Sequence, residues 1–123
     1  MQFRSVCLAA AAAFAFAGSA WAHHSHANYN TNEWMNLTGK VTELHWMNPH
    51  VWVYMEVRDA QGQPKVWALE GGSIGALIRG GWTKESVKVG DTINVRCHHL
   101  KDASDGCLLG FLTTPGGTPK EFD

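Results

Sequence analysis

The chain has 123 residues, with 10 Lys and Arg, 11 Asp and Glu and 7 His, for a formal net charge of -1. Scattered, weakly acidic charge without a basic run argues against a nucleic-acid partner or an anionic membrane surface, because both reward clustered basic side chains. A chain of this length encloses one hydrophobic core, too small to divide into two.

In chain order, the first segment reads as an address. Arg4 precedes an apolar run from Val6 to Ala17, and Gly18-Ser19-Ala20-Trp21-Ala22 follows, with small residues suited to signal peptidase. Residues 1–22 are therefore expected to be a signal peptide that is cleaved on export to the periplasm, taking Cys7 with it. The run is shorter than the roughly 20 residues of a spanning helix, so no integral membrane segment is expected in the mature form. Removing 22 residues leaves 101, in which nine basic residues face eleven acidic ones once Arg4 has gone.

Residues 23–36 are rich in His, Asn, Thr and Ser without an apolar period, and predict an irregular, His-rich arm. A domain over residues 37–114 follows. Leu37 to Trp46 is rich in Val, Thr, Leu and Trp and predicts a strand, ended by the Asn48-Pro49 turn. His50 to Arg58 alternates: Val51, Val53, Met55 and Val57 share one face, and His50, Trp52, Tyr54, Glu56 and Arg58 the other, the period of a half-buried strand. Asp59 to Pro64 forms a loop, and Lys65 to Glu70 returns. Ser73 caps a short helix with Ile74, Leu77 and Ile78 on one stripe, stopped by Gly80-Gly81. Thr92 to His98 and Leu108 to Thr113 complete the strands, and residues 115–123, rich in Gly and Pro, read as a flexible tail. This order, all-β with one short helix, matches a small five-stranded Greek-key barrel of the OB type. A small sandwich or meander is the rival.

Cys97 and Cys107 bracket a polar stretch that reads as a hairpin connection, and an even pair in an exported domain points to a disulfide between adjacent strands. The alternative is a metal site using both thiols with His98 or His99.

Several segments together resemble a family of small exported bacterial proteins, domain of unknown function 6152. They are His23-His24-Ser25, Leu37-Thr38-Gly39-Lys40-Val41, Trp46-Met47-Asn48-Pro49-His50, Trp67 to Gly71, Arg79-Gly80-Gly81-Trp82-Thr83 and Val89-Gly90-Asp91. The resemblance implies a compact periplasmic β-domain and no particular activity. The chain departs from the pattern at His26, where relatives carry an aromatic, and at Cys97 and Cys107, where relatives lack cysteine. The disulfide would thus be a local stabiliser.

Histidine is the unusual component. Cleavage after Ala22 would place the α-amine and imidazole of His23 at the terminus, where they could chelate copper in the manner of a histidine brace, with His24, His26, His50 or His98 completing the shell. Cleavage after Ala20 would instead place His23 third, resembling the amino-terminal copper and nickel motif. The alternative is a solvated polar arm. His45 and His50 flank a turn containing Met47, whose thioether suits Cu(I), while the plainer reading has Trp46 and Met47 packing a barrel end. Trp52 and Tyr54 share the non-core face, the surface on which OB barrels hold ligands by stacking, so a metal-free site for a protein or small ligand is the competing function. Trp34, Trp67 and Trp82 read as core or lid residues. No nucleophile elbow, HExxH or phosphate loop occurs, and Glu43, Glu56 and Glu70 fall on three strands with no reason to pair, so an enzyme is not expected. An oxidising copper enzyme stays as a third class.

Overall fold

The computed structural model describes residues 26–123. The expected signal peptide, residues 1–22, and His23 and His24 lie outside them. Six strands and one helix follow in the order β1 (Met35–His45), β2 (Trp52–Arg58), β3 (Pro64–Glu70), α1 (Ile74–Arg79), β4 (Thr92–His99), β5 (Gly106–Thr113) and β6 (Lys120–Glu121).

The alternation in β2 sets the inside of the molecule. Val51, Val53 and Met55 are fully buried, and across the antiparallel β2–β3 ladder Val53 faces Leu69, which is buried with them. β1 pairs with β2 through its second half and with β4 through its first, so one long strand serves both halves of the sheet. It manages this with a bulge: Thr42 is the extra residue between Val41, opposite Met55, and Glu43, opposite Tyr54. β4 and β5 run antiparallel, and β5 then pairs parallel with β3. That last pairing closes a five-stranded barrel in the order β1-β2-β3-β5-β4, the small OB-like architecture expected from the element order.

α1 plugs one end. Ser73 accepts a hydrogen bond from the Ala76 amide at 3.2 Å, Gly80 supplies the cap at the other terminus, and Leu77 is buried at 1% exposure. Trp82 and Val87, in the segment that follows, join the same core. The Asn48–Pro49 peptide is cis, and the Asn48 side chain accepts from the Ile74 amide, tying the β1–β2 loop to the start of α1.

Residues 115–123 correct the expectation of a frayed tail. They carry β6, which pairs with Phe111 and Leu112, and Phe122, which is 1% exposed and meets Trp82 edge-on at 4.8 Å between ring centroids. Gly and Pro at positions 115–119 predict a loop, and they do form one. What they conceal is a single aromatic beyond it, with no periodic neighbours to announce that it is buried.

Cys97 and Cys107 form the expected disulfide, with Cα atoms 5.8 Å apart, and both are fully buried. The bridge joins β4 to β5 across the polar hairpin at 100–105. Replacing both cysteines by serine is expected to lower the unfolding free energy by roughly 2 to 3 kcal/mol, from the lost restraint on a short loop in the unfolded chain. Urea denaturation of the two proteins measures the difference.

Candidate functional site

The outward residues of β2 form the first candidate surface. Strand alternation turns Trp52 and Tyr54 away from the core, and both are half-buried. β1 supplies the neighbour: His45 stands opposite Trp52 in the ladder, and its ring lies 4.9 Å from that of Tyr54, tilted by 54°. His45 Nε2 also meets Glu43 Oε2 at 2.8 Å, so a carboxylate fixes the imidazole beside the tyrosine. Met47, at the tip of the loop between the strands, is 50% exposed. The structure thus brings His45, Trp52 and Tyr54 together on one face, with Met47 at the tip of the adjoining loop.

His50 belongs to a different group, built around a buried carboxylate. Glu70 ends β3 on the outward face, opposite Trp52, yet is only 4% exposed. Tyr29 covers it. The arm makes a bridge between Tyr29 and Leu100, and the Tyr29 hydroxyl donates to Glu70 Oε2 at 2.6 Å. Burial first, and then this hydrogen bond, push the Tyr29 phenol far above its usual pKa, so it stays a donor. The second Glu70 oxygen lies 3.5 Å from His50 Nδ1, which is also 3.1 Å from the Gly71 carbonyl. A carbonyl oxygen can only accept, so a hydrogen resides on Nδ1, and the tautomer this selects has its lone pair on Nε2. An unpartnered carboxylate in this position would cost about 1–3 kcal/mol or more, which makes Tyr29 the residue that permits Glu70 to be buried.

The remainder of the arm is held by β4 and β5. Asn30 donates its amide to the His99 carbonyl at 2.9 Å, and the amide of Lys101 donates to Asn28. His98 Nδ1 donates to the Glu33 carbonyl at 2.6 Å, and the indole of Trp34 lies over the His98 ring, 3.8 Å between centroids. Trp34 can lie this close to the sheet because Gly110 is beneath it: a Cβ at that position would stand 2.5 Å from the indole. Gly110 is also the extra residue of the bulge between the Arg96–Phe111 and Cys97–Leu109 pairs. His98 is consequently buried beneath a lid, and Trp34, 44% exposed, forms that lid and stays out of the core. Trp82 is buried in the core and Trp67 packs against it, as expected.

His26 is exposed at the start of the described segment, and His23 and His24 precede it. Among the described residues, no three His, Cys, Asp or Glu side chains are grouped so that they could hold a metal ion. His50 is engaged by Glu70 and Gly71, and His98 by Glu33 and Trp34, so each is tied to its own partners. Among the same residues no helix is long and apolar enough to cross a membrane.

Sequence reasoning passed over Tyr29, Glu33, Trp34, Glu70 and His99 as a connected group. One signal was available: Glu70 is an acid that directly follows the apolar run Val66-Trp67-Ala68-Leu69. Nothing in the polar arm singles out Tyr29.

The model of the Family of unknown function (DUF6152) matches residues 10–109 of the chain. No curated protein matches. Among solved structures, two crystal structures of mitochondrial single-stranded DNA binding proteins from S. cerevisiae, the second labelled with selenomethionine, are similar in fold. Each is 11% identical, spanning 67% of this chain and 92% of its own, with TM-scores of 0.51 and 0.45.

His99 provides a direct probe of the arm. Its Nδ1 faces the Leu100 carbonyl at 2.9 Å and its Nε2 faces Glu33 Oε2 at 3.2 Å, so both nitrogens meet acceptors. The Leu100 carbonyl first, and then Glu33, raise its pKa above 6.5. A pKa raised on folding means that the contact stabilises the arm fully below pH 6.5 and is lost as pH climbs through the higher folded value. NMR titration of the His99 ring is expected to show that elevation, and Glu33→Gln to remove part of it while the Leu100 share remains.

Proposed function

The chain belongs to that family of unknown function, and from this premise we propose that it is a periplasmic binding module, not an enzyme, which holds a planar group against Trp52 and Tyr54. The planar group belongs either to a small molecule or to a side chain of a partner protein. The observation that carries the reading is the open aromatic face itself: Trp52, Tyr54 and His45 adjoin on the outside of the barrel, with His45 held in place by Glu43. OB barrels commonly use this surface, and stacking on aromatic side chains contributes about 1–3 kcal/mol per planar group. The related folds from S. cerevisiae are single-stranded DNA binding proteins, but here the acidic residues outnumber the basic ones once Arg4 is set aside, which disfavours a phosphate backbone as ligand.

Screening of the isotopically labelled protein with planar heteroaromatic fragments tests this face. Amide and indole shifts are expected to centre on Trp52 and Tyr54. Trp52→Ala should weaken the best fragment by roughly tenfold or more, with the fold intact because the side chain points outward. Fragments that bind the variant equally well, or that map elsewhere, would defeat the reading.

A second reading concerns copper at the histidines that export would expose. The observation favouring it within the barrel is His50, whose Nδ1–H is committed to backbone and whose Nε2 is left as a donor atom. That is the arrangement by which proteins orient a metal-binding imidazole. Intact mass of the secreted protein establishes which bond is cut. Calorimetric titration with Cu(II) is then expected to give an affinity tighter than micromolar that falls by about tenfold in His23→Ala, since the terminal histidine contributes both amine and imidazole. An unchanged affinity in the variant would remove copper from consideration.

A further inference from the structure

A concave surface lies on the outside of the barrel, and neither Trp52 nor Tyr54 lines it. Between β1, β4 and β5 runs a groove of about 320 Å³, lined in part by Asn36, Thr38, Asn94, Arg96, Phe111 and Pro119. Ladder register explains why these side chains share it. Asn36 stands opposite Arg96, Thr38 opposite Asn94, and Arg96 opposite Phe111, so the outward positions of three neighbouring strands line up.

The polar part of this groove has one electrostatic sign. No Asp or Glu lines it. Among the described residues Arg96 makes no ion pair with a carboxylate. Its guanidinium is instead laid over the Trp34 ring, with Cζ 4.7 Å from the ring centroid. A guanidinium held over an indole keeps N–H groups available, and its position is set before any ligand arrives. Thr38 donates its hydroxyl to Asn94 Oδ1, so the amide group of Asn94 is left as a further donor. Phe111 and Pro119 supply apolar walls, and Trp34 adjoins Phe111 at 6.0 Å between ring centroids. Glu121, opposite Phe111 on β6, is the nearby acid in the ladder and lies outside the lining. Donors with no acid among the lining residues call for an anion, the planar fork calls for a carboxylate, and the apolar walls call for a ring.

We infer that this groove is a ligand site for a small organic carboxylate carrying an apolar ring, with the carboxylate forked on Arg96 and the ring along Phe111 and Pro119. The volume suits one or two fused rings. Trp34 has two duties in this arrangement: it covers His98 and it orients Arg96.

The test uses the full secreted protein and two probes of one shape, 2-naphthoate and the uncharged 2-naphthamide, followed by calorimetry and by amide shifts. The acid is expected to bind about tenfold more tightly than the amide, as a charge-assisted pair on guanidinium would give, with shifts centred on Asn36, Asn94, Arg96 and Phe111. Arg96→Gln should abolish the preference, and Arg96→Lys should restore only part of it, because an ammonium carries the charge without the fork. Asn36→Asp leaves the stack on Trp34 untouched and places a carboxylate opposite Arg96, so it should also abolish the preference. Equal affinity for acid and amide, shifts centred on Trp52 and Tyr54, or a preference that survives both Arg96→Gln and Asn36→Asp would each overturn the inference. Of these outcomes only shifts centred on Trp52 and Tyr54 bear on the aromatic face, and they would support its reading while overturning this one.

Discussion

Three parallel residue pairs join β3 to β5, Ala68 with Gly106, Leu69 with Cys107 and Glu70 with Leu108, and they turn a curved sheet into a closed barrel. Parallel neighbours cannot be linked by a tight turn, so the chain must leave β3, cross an end of the barrel through α1 and build β4 before it returns as β5. Closure removes the exposed strand edges along these three pairs. It also decides what is inside: Leu69 and Cys107 are both fully buried, and Cys107 reaches across to Cys97 on β4. One position on β5 therefore contributes to the closing ladder on one side and to the disulfide on the other. Gly106 eases the approach, since a Cβ there would stand 3.3 Å from the Ala68 carbonyl oxygen and 2.7 Å from the Leu100 side chain, which would have to give way.

The same closure places Glu70 beside Leu108 on the outside of the wall, and the arm is organised around that fact. Tyr29 satisfies the carboxylate, the backbone of residues 28–30 ties to the β4–β5 hairpin, and Trp34 settles over Gly110 and His98 before β1 begins. An irregular, polar segment thus becomes an outer layer of the barrel. Its docking rests on a few specific contacts, most of them hydrogen bonds to backbone carbonyls, with apolar cover from Tyr29 and from Trp34. Such contacts depend on protonation and on single residues more than a hydrophobic seam would.

The arm also divides the outer surface. Where it lies, over β4 and β5, Glu70, Leu108 and His98 are buried. Where it does not, two stretches of wall remain accessible. One is the aromatic face of β1 and β2, with an imidazole fixed beside it by Glu43. The other is the donor-lined groove beyond Trp34. Their chemistry differs in kind: stacking governs the first, and a single stacked guanidinium the second.

Much of the architecture follows from local pattern. The alternation of Val51, Val53 and Met55 against Trp52 and Tyr54 determined which side of β2 is core, because a pleated strand has a period of two and a one-residue slip would bury the polar set. The Ser73 cap, the Gly80 stop and the spacing of Cys97 and Cys107 across a polar turn are likewise local, and each corresponds to the element found. The extended reach of the His-rich segment and of the Gly- and Pro-rich tail was a different matter. Tyr29, Trp34 and Phe122 lie in stretches with no apolar period, so composition assigns Tyr29 and Phe122 to solvent and leaves Trp34 as a core or lid residue without a partner. Each is placed by a partner distant in the chain: Glu70 for Tyr29, Gly110 and His98 for Trp34, Trp82 for Phe122. The histidines divide the same way. Their number is a property of the sequence, whereas the separation of His50 from His98, each held by its own carbonyl, arises only when β3, β4 and β5 close the barrel. Periodicity records which side of a strand faces inward, but it carries no information about which segment will later lie across the outside.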